Sequence, residues 1–138
     1  MILDFAMKNV LSFQEGVEVS FRNGSIINTT LCIKGANGSG KTNLLNSLSL
    51  FLKFVADSFS LKPEAPIGIP PFFDSKEPSL FRISFLANNI EYCYELEVNT
   101  SHVITETLFR KKRRISPVII RQNNNIIKAV DQFKDLQI

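Results

Sequence analysis

The stretch Gly35-Ala36-Asn37-Gly38-Ser39-Gly40-Lys41-Thr42 fits the phosphate-binding loop pattern G-x-x-x-x-G-K-[ST]. The chemistry needs that glycine spacing. Without Cβ atoms the backbone curls until consecutive N–H groups point inward at an anion, and a helix starting at the loop's end adds the positive end of its dipole. In that arrangement the Lys41 ammonium faces β- and γ-phosphates and the Thr42 hydroxyl completes a Mg²⁺ shell. The octet therefore predicts a nucleotide-binding loop.

Its flanks decide whether the match is more than a Gly-rich turn between a core strand and a core helix. Upstream, Thr29-Thr30-Leu31-Cys32-Ile33-Lys34 is β-branched and apolar, with the length expected of a buried strand feeding the loop. Downstream, Leu44, Leu45, Leu48, Phe51, Leu52, Val55 and Phe59 recur at helical spacing, with no Pro or Gly before Pro63. The spacing predicts a helix over Lys41–Ser58, and strand, loop and helix stand in the order the motif requires.

Further out, Ile2–Lys8 and Val17–Phe21 are strand-like, separated by a turn at Ser12–Gly16, and Arg22–Ser25 reads as a second turn. After the helix, five of the six prolines fall within a stretch of about 60–78, together with Gly68, which predicts an exposed, mobile loop. From Leu80 the period changes to two. Phe81, Ile83 and Phe85 alternate with polar residues, Asn88-Asn89 offers a tight turn, and Ile90, Tyr92, Tyr94, Leu96 and Val98 continue the alternation. Asn99–Ser101 turns the chain into Val103–Arg110. A strand near Val118–Arg121 and a polar turn at Gln122–Asn125 follow, and Ile126–Ile138 is expected to pair briefly and then begin a helix. The antiparallel strands span about 80–128.

With 138 residues and 44% hydrophobic composition, the chain suits one domain with a core of its own. A formal charge of +3 permits nucleic acid or an acidic partner without demanding either. Cys32 and Cys93 lack metal-ligand spacing and read as buried, reduced thiols. The chain opens directly as a strand, and its longest apolar stretch, Leu44–Ala56, carries Asn46, Ser47, Ser49 and Lys53. No signal peptide, no membrane partner and a cytoplasmic location are the corresponding expectations.

Three features together resemble the ABC-type ATPase heads of SMC, RecF and OLD-like proteins. Lys8-Asn9-Val10-Leu11-Ser12-Phe13 is similar to the N-F-x-S-F end of their first strand. Gly35 to Leu45 is close to their extended loop G-x-N-G-S-G-K-[ST]-N-L-L, and the antiparallel run after the first helix resembles their β-layer. The Pro71–Phe73 and Pro78–Phe81 patterns also resemble stand-alone OLD-like bacterial ATPases, many of them in antiphage defence systems.

The resemblance implies an α/β P-loop NTPase fold, with residues 1–138 as the N-terminal part of an ABC-type head. It implies ATP and Mg²⁺ held by Gly35, Asn37, Gly38, Ser39, Gly40, Lys41, Thr42 and Asn43, with Thr42 on the metal. Partners would be a second head and an effector subunit. Such heads also use a signature loop, an apolar strand ending in Asp-Glu and a later switch His. No Asp-Glu pair and no Ser-Gly-Gly occurs here, so no catalytic residue is assigned in this chain. At Leu11 these heads often carry Arg or Lys near the nucleotide. Two other readings stand beside the ATPase: a non-hydrolysing nucleotide-binding regulatory or scaffold module, and a small P-loop kinase or GTPase. The last is weakened by the antiparallel meander and by the lack of an Asn-Lys-x-Asp motif.

Arg110-Lys111-Lys112-Arg113-Arg114 places five cations between two strands. A solvated hairpin tip is favoured over a patch for DNA or RNA phosphates, since no aromatic residue is interleaved. Glu91, Glu95 and Glu97 share one sheet face and read as solvent-facing, paired with Arg82 across the hairpin. His102 reads as a surface residue, and Tyr92 and Tyr94 as core-facing residues with hydroxyls at the sheet edge. Phe72-Phe73 either anchors the Pro-rich loop or meets a partner.

Overall fold

The computed structural model describes residues 1–58, 60, 65–123 and 125–130. Phe59, residues 61–64 of the Pro-rich loop and the helix expected near the C-terminal end lie outside the described residues. The elements are β1 (Ile2–Lys8), β2 (Val17–Ser20), β3 (Arg22–Asn23), β4 (Ile26–Ile27), α1 (Lys41–Asp57), β5 (Ser79–Ala87), β6 (Ile90–Val98), β7 (Val103–Lys111), β8 (Ile115–Gln122) and β9 (Asn125–Ala129).

Seven strands form one antiparallel sheet in the order β2-β1-β5-β6-β7-β8-β9. The meander from β5 to β9 is the expected one, and Asn88 and Asn89, with φ of 50° and 59°, make the expected tight turn. Period-two alternation sets the register: Phe5 lies opposite Ile83, and Ile83 opposite Tyr94. Leu3, Phe5, Met7, Phe81, Ile83, Leu96 and Val98 are consequently buried.

α1 lies on that apolar face through Phe51 and Phe54. The Phe51 ring sits 5.2 Å from Phe81, 5.7 Å from Tyr94 and 6.0 Å from Phe5 between centroids, so one helical residue fills the junction of three strands. Leu45, Leu52 and Val55 point away from the sheet and are exposed. The helix is thus apolar on two sides, as a helix with neighbours on both would be. Tyr94 donates its hydroxyl to Glu106 at 2.6 Å. Burial first, then the Glu106 charge and hydrogen bond, push its phenol above the ordinary value.

Several expectations are corrected. Thr29–Lys34 is not a strand: it pairs with nothing among the described residues, and Leu31, Cys32 and Ile33 are exposed. β-propensity reflects packing between neighbouring strands, and here no neighbour is in place. The same exposure overturns the buried-thiol expectation for Cys32. Cys93 is half-buried, and burial raises its thiol pKa despite a hydrogen bond from Ser84.

Residues 65–78 are docked rather than simply exposed. Ile69 is buried in the core, Leu11 N–H donates to the Pro70 carbonyl and Ile67 N–H to the Thr100 carbonyl. Arg22–Ser25 is not merely a turn, because β3 and β4 pair around Gly24, whose φ is 59°. β8 begins at Ile115 and takes in Pro117, which is tolerated beside a bulge where Val118 is the extra residue, beyond the residues that β9 pairs with. Arg82 reaches back to Glu18 on β2 at 3.1 Å, not to the glutamates across its hairpin. Glu91 is instead held by Arg22 at 2.6 Å and Lys111 at 3.2 Å, and Glu97 accepts from Thr105.

Candidate nucleotide-binding site

β1 ends in a lock that fixes where the loop can sit. Asn9 has φ of 56° and is buried, and its side-chain amide donates to the carbonyls of Glu77 at 2.7 Å and Pro78 at 3.3 Å. Its own carbonyl accepts from the Ser79 hydroxyl at 2.7 Å, so β1 and the start of β5 are stitched together at this end. Buried polar groups fully paired in this way specify one backbone path. Val10 is fully buried, and Val10 and Phe13 exchange backbone hydrogen bonds around a tight turn. That turn presents Ser12 and Phe13 to the glycine loop.

The loop then has the backbone its sequence predicts. Gly38 and Gly40 adopt φ of 79° and 90°, conformations that L side chains rarely take. A Cβ on Gly40 would stand 3.0 Å from Phe13 Cζ, and one on Gly35 would stand 2.7 Å from Ser39 Oγ. Gly40 caps α1 without a side-chain hydrogen bond, and no acidic residue occupies the first turn. The helix N-terminus keeps its unpaired N–H groups and positive dipole end available for an anion.

Lys41 Nζ donates to the carbonyls of Gly35 at 2.8 Å and Ala36 at 2.7 Å, which holds the ammonium across the loop. Asn43 Nδ2 donates to Ser12 Oγ at 2.9 Å. Ser12, Asn37, Gly38, Gly40, Lys41, Thr42 and Asn43 line a pocket of about 330 Å³. Of the residues expected to bind nucleotide, Gly35 and Ser39 shape the loop without lining this pocket. Leu11 does not line it either: it packs against the core, and Ser12 takes the place at the pocket.

The donor set fits a magnesium nucleotide. Two left-handed glycines, a free helix N-terminus and the Lys41 ammonium suit phosphate oxygens, and the exposed Thr42 hydroxyl suits a hard cation. No group of three His, Cys, Asp or Glu side chains able to hold a metal alone is found among the described residues. The pocket lining contains no carboxylate and no histidine.

The other expected candidates lie elsewhere. His102 is exposed in the Asn99–His102 turn, where the Asn99 side chain accepts from the Ser101 and His102 N–H groups. Phe72 and Phe73 meet edge to face at 4.6 Å, with Phe73 79% exposed. The basic run lies at the opposite end of the sheet. Lys8, at the end of β1 that leads into the Ser12 turn lining the pocket, aligns through Leu80 with Glu97, whereas Lys111 aligns with Glu91. Six residues of strand separate the two, or about 20 Å. Sequence reasoning gave no separate role to Asn9, Ser12 or Phe13, and the signal for them was the Asn-Val-Leu-Ser-Phe string at the end of β1.

Residues 31–136, most of the chain, match the family model described as "AAA domain, putative AbiEii toxin, Type IV TA system". No curated protein matches the chain significantly. No helix among the described residues is long and apolar enough to cross a membrane.

Proposed function

Because the chain belongs to this AAA-domain family, we propose that it binds ATP with Mg²⁺ at residues 35–43, as the N-terminal part of an ABC-type head of the SMC, RecF and OLD-like kind. The observation that carries the reading is the loop itself: Gly38 and Gly40 at positive φ before a helix N-terminus free of acidic residues, with Lys41 and Thr42 on its first turn. Backbone N–H groups and the Lys41 ammonium bind the phosphates, and Thr42 contributes one ligand to the metal. Bound Mg²⁺ supplies neutralisation of phosphate charge.

Head dimerisation and control of a partner, in a bacterial antiphage or toxin–antitoxin setting, complete the proposal. The exposed stripe Leu45, Leu52 and Val55 and the unpaired Leu31 and Ile33 support it, because apolar surface on both sides of the loop suits a unit that packs against further protein. The second reading, a non-hydrolysing nucleotide-binding module, is favoured by the lack of any carboxylate in the pocket lining. Titration calorimetry with Mg-ATP tests the binding step. The wild-type chain should bind and Lys41→Ala should not, and equal affinity for the two would overturn the assignment.

A further inference from the structure

We infer that the β7–β8 hairpin tip, Lys112-Arg113-Arg114, is a contact site for the phosphate backbone of duplex nucleic acid. Some cations of the fold are answered by a carboxylate. Arg22 meets Asp4 and Glu91, Arg82 meets Glu18, Lys111 meets Glu91 and Arg121 meets Glu106. Among the described residues, Lys112, Arg113 and Arg114 have no such partner and are exposed. Glu91, the carboxylate opposite Lys111, is already shared between two cations.

Three adjacent uncompensated cations repel one another, and a two-stranded turn has no structural need of them. Clustered and exposed at one tip, they offer a site to an anion from outside. That anion is not the nucleotide in the loop, which lies about 20 Å away along the strands. The N-terminal amine of Met1 sits at the same end of the sheet, donating to the Leu86 carbonyl, and adds to the positive field there.

The chemistry selects the class of anion. Guanidinium groups suit phosphate oxygens, which they engage through paired N–H donors. The lack of an aromatic residue at the tip, which in the sequence favours a solvated turn, removes only base stacking with single strands and leaves backbone contact to a duplex open. Contacts of this kind are made to backbone and are independent of sequence. An acidic lipid surface offers phosphates too, but it rewards a cluster of apolar residues for insertion, and Ile115 stands alone beside the tip.

The test is fluorescence anisotropy of the full chain with a labelled duplex DNA over a series of salt concentrations, beside a single-stranded oligonucleotide and phosphatidylserine vesicles. The variant is Lys112→Ser/Arg113→Ser/Arg114→Ser, with Arg113→Ser alone as a milder second. The wild type should bind the duplex most tightly. The triple variant should lose at least tenfold in affinity at low salt and about three units of log–log salt slope, the single variant about one unit. Mg-ATP affinity should be unchanged in both, so this outcome is independent of the nucleotide reading. No duplex binding at low salt, an unaltered slope in the variants, or preference for vesicles or single strands would each overturn the inference.

Discussion

Asn43, on the first turn of α1, donates its amide to the Ser12 hydroxyl at 2.9 Å, and this bond joins the nucleotide loop to the turn that ends β1. One residue on, the Phe13 ring closes over Gly40 so tightly that a Cβ there would meet Cζ at 3.0 Å. Ser12 and Phe13 together fix the approach of the loop to the sheet, and the buried Asn9 fixes Ser12 and Phe13 in turn. The loop is therefore positioned by contacts outside the octet.

Removing one side of that joint should cost affinity without unfolding the chain. Ser12→Ala deletes an exposed hydrogen bond whose net worth is at most about 1 kcal/mol, so Mg-ATP binding should weaken by up to about fivefold with little change in Tm. Gly40→Ala should do far more, since φ of 90° and the Phe13 contact both oppose a methyl group. Calorimetric titration of the two variants checks the order. A Gly40→Ala chain that binds like wild type would show that the loop is not held as described.

The purified chain should hydrolyse no ATP above background. Positioning and charge stabilisation supply most of the catalysis in phosphoryl transfer, and the pocket lining offers no carboxylate or histidine to orient water. Phosphate release measured beside Lys41→Ala decides it, and turnover that vanishes in that variant would refute the expectation.

Two neighbours on α1 should differ sharply in their contribution to stability. Phe51 is buried among Phe5, Phe81 and Tyr94, so Phe51→Ala should cost about 3–5 kcal/mol through lost transfer energy and the cavity left behind. Leu52 points outward and is 44% exposed, so Leu52→Ala should cost less than about 1 kcal/mol. Urea unfolding of both gives the comparison, and similar losses would mean that the helix sits in another rotation on the sheet.

Local patterns carried much of this far into the structure. The loop, the helix and the β5–β9 meander rest on glycine spacing and on periods of 3.6 and 2, which depend on neighbours within a few residues. What escaped depends on partners distant in sequence. Thr29–Lys34 has the composition of a strand and, among the described residues, no strand beside it. The Pro-rich segment looks like a surface loop, yet Ile69 is buried and the backbone of Glu77 and Pro78 is bonded to Asn9. The apolar spacing does not point to Phe54 and Ser47 as the residues buried under the sheet, because an apolar pattern on two sides of a helix does not say which side packs first.

Acid should weaken the sheet through Asp4, Glu91 and Arg22. Burial opposes ionisation of Asp4, but hydrogen bonds from Ser20 and Arg22 outweigh it and leave its pKa lowered. At Glu91 burial is likewise outweighed by hydrogen bonds from Arg22 and Lys111. The Arg22 pKa is raised chiefly by its bond to Asp4. A carboxylate with a depressed folded pKa stabilises the fold above its unfolded value, near about pH 4, and loses that contribution as pH falls through the folded value. The ion pairs are partly exposed, so each should be worth less than about 1 kcal/mol at neutral pH. Thermal melts of wild type and Arg22→Ala between pH 7 and pH 2.5 check the sign: the variant should be less stable at neutral pH, and the gap should close below about pH 3. A gap that stays constant down to the lowest pH would assign the contribution of Arg22 to packing of its stem, not to its charge.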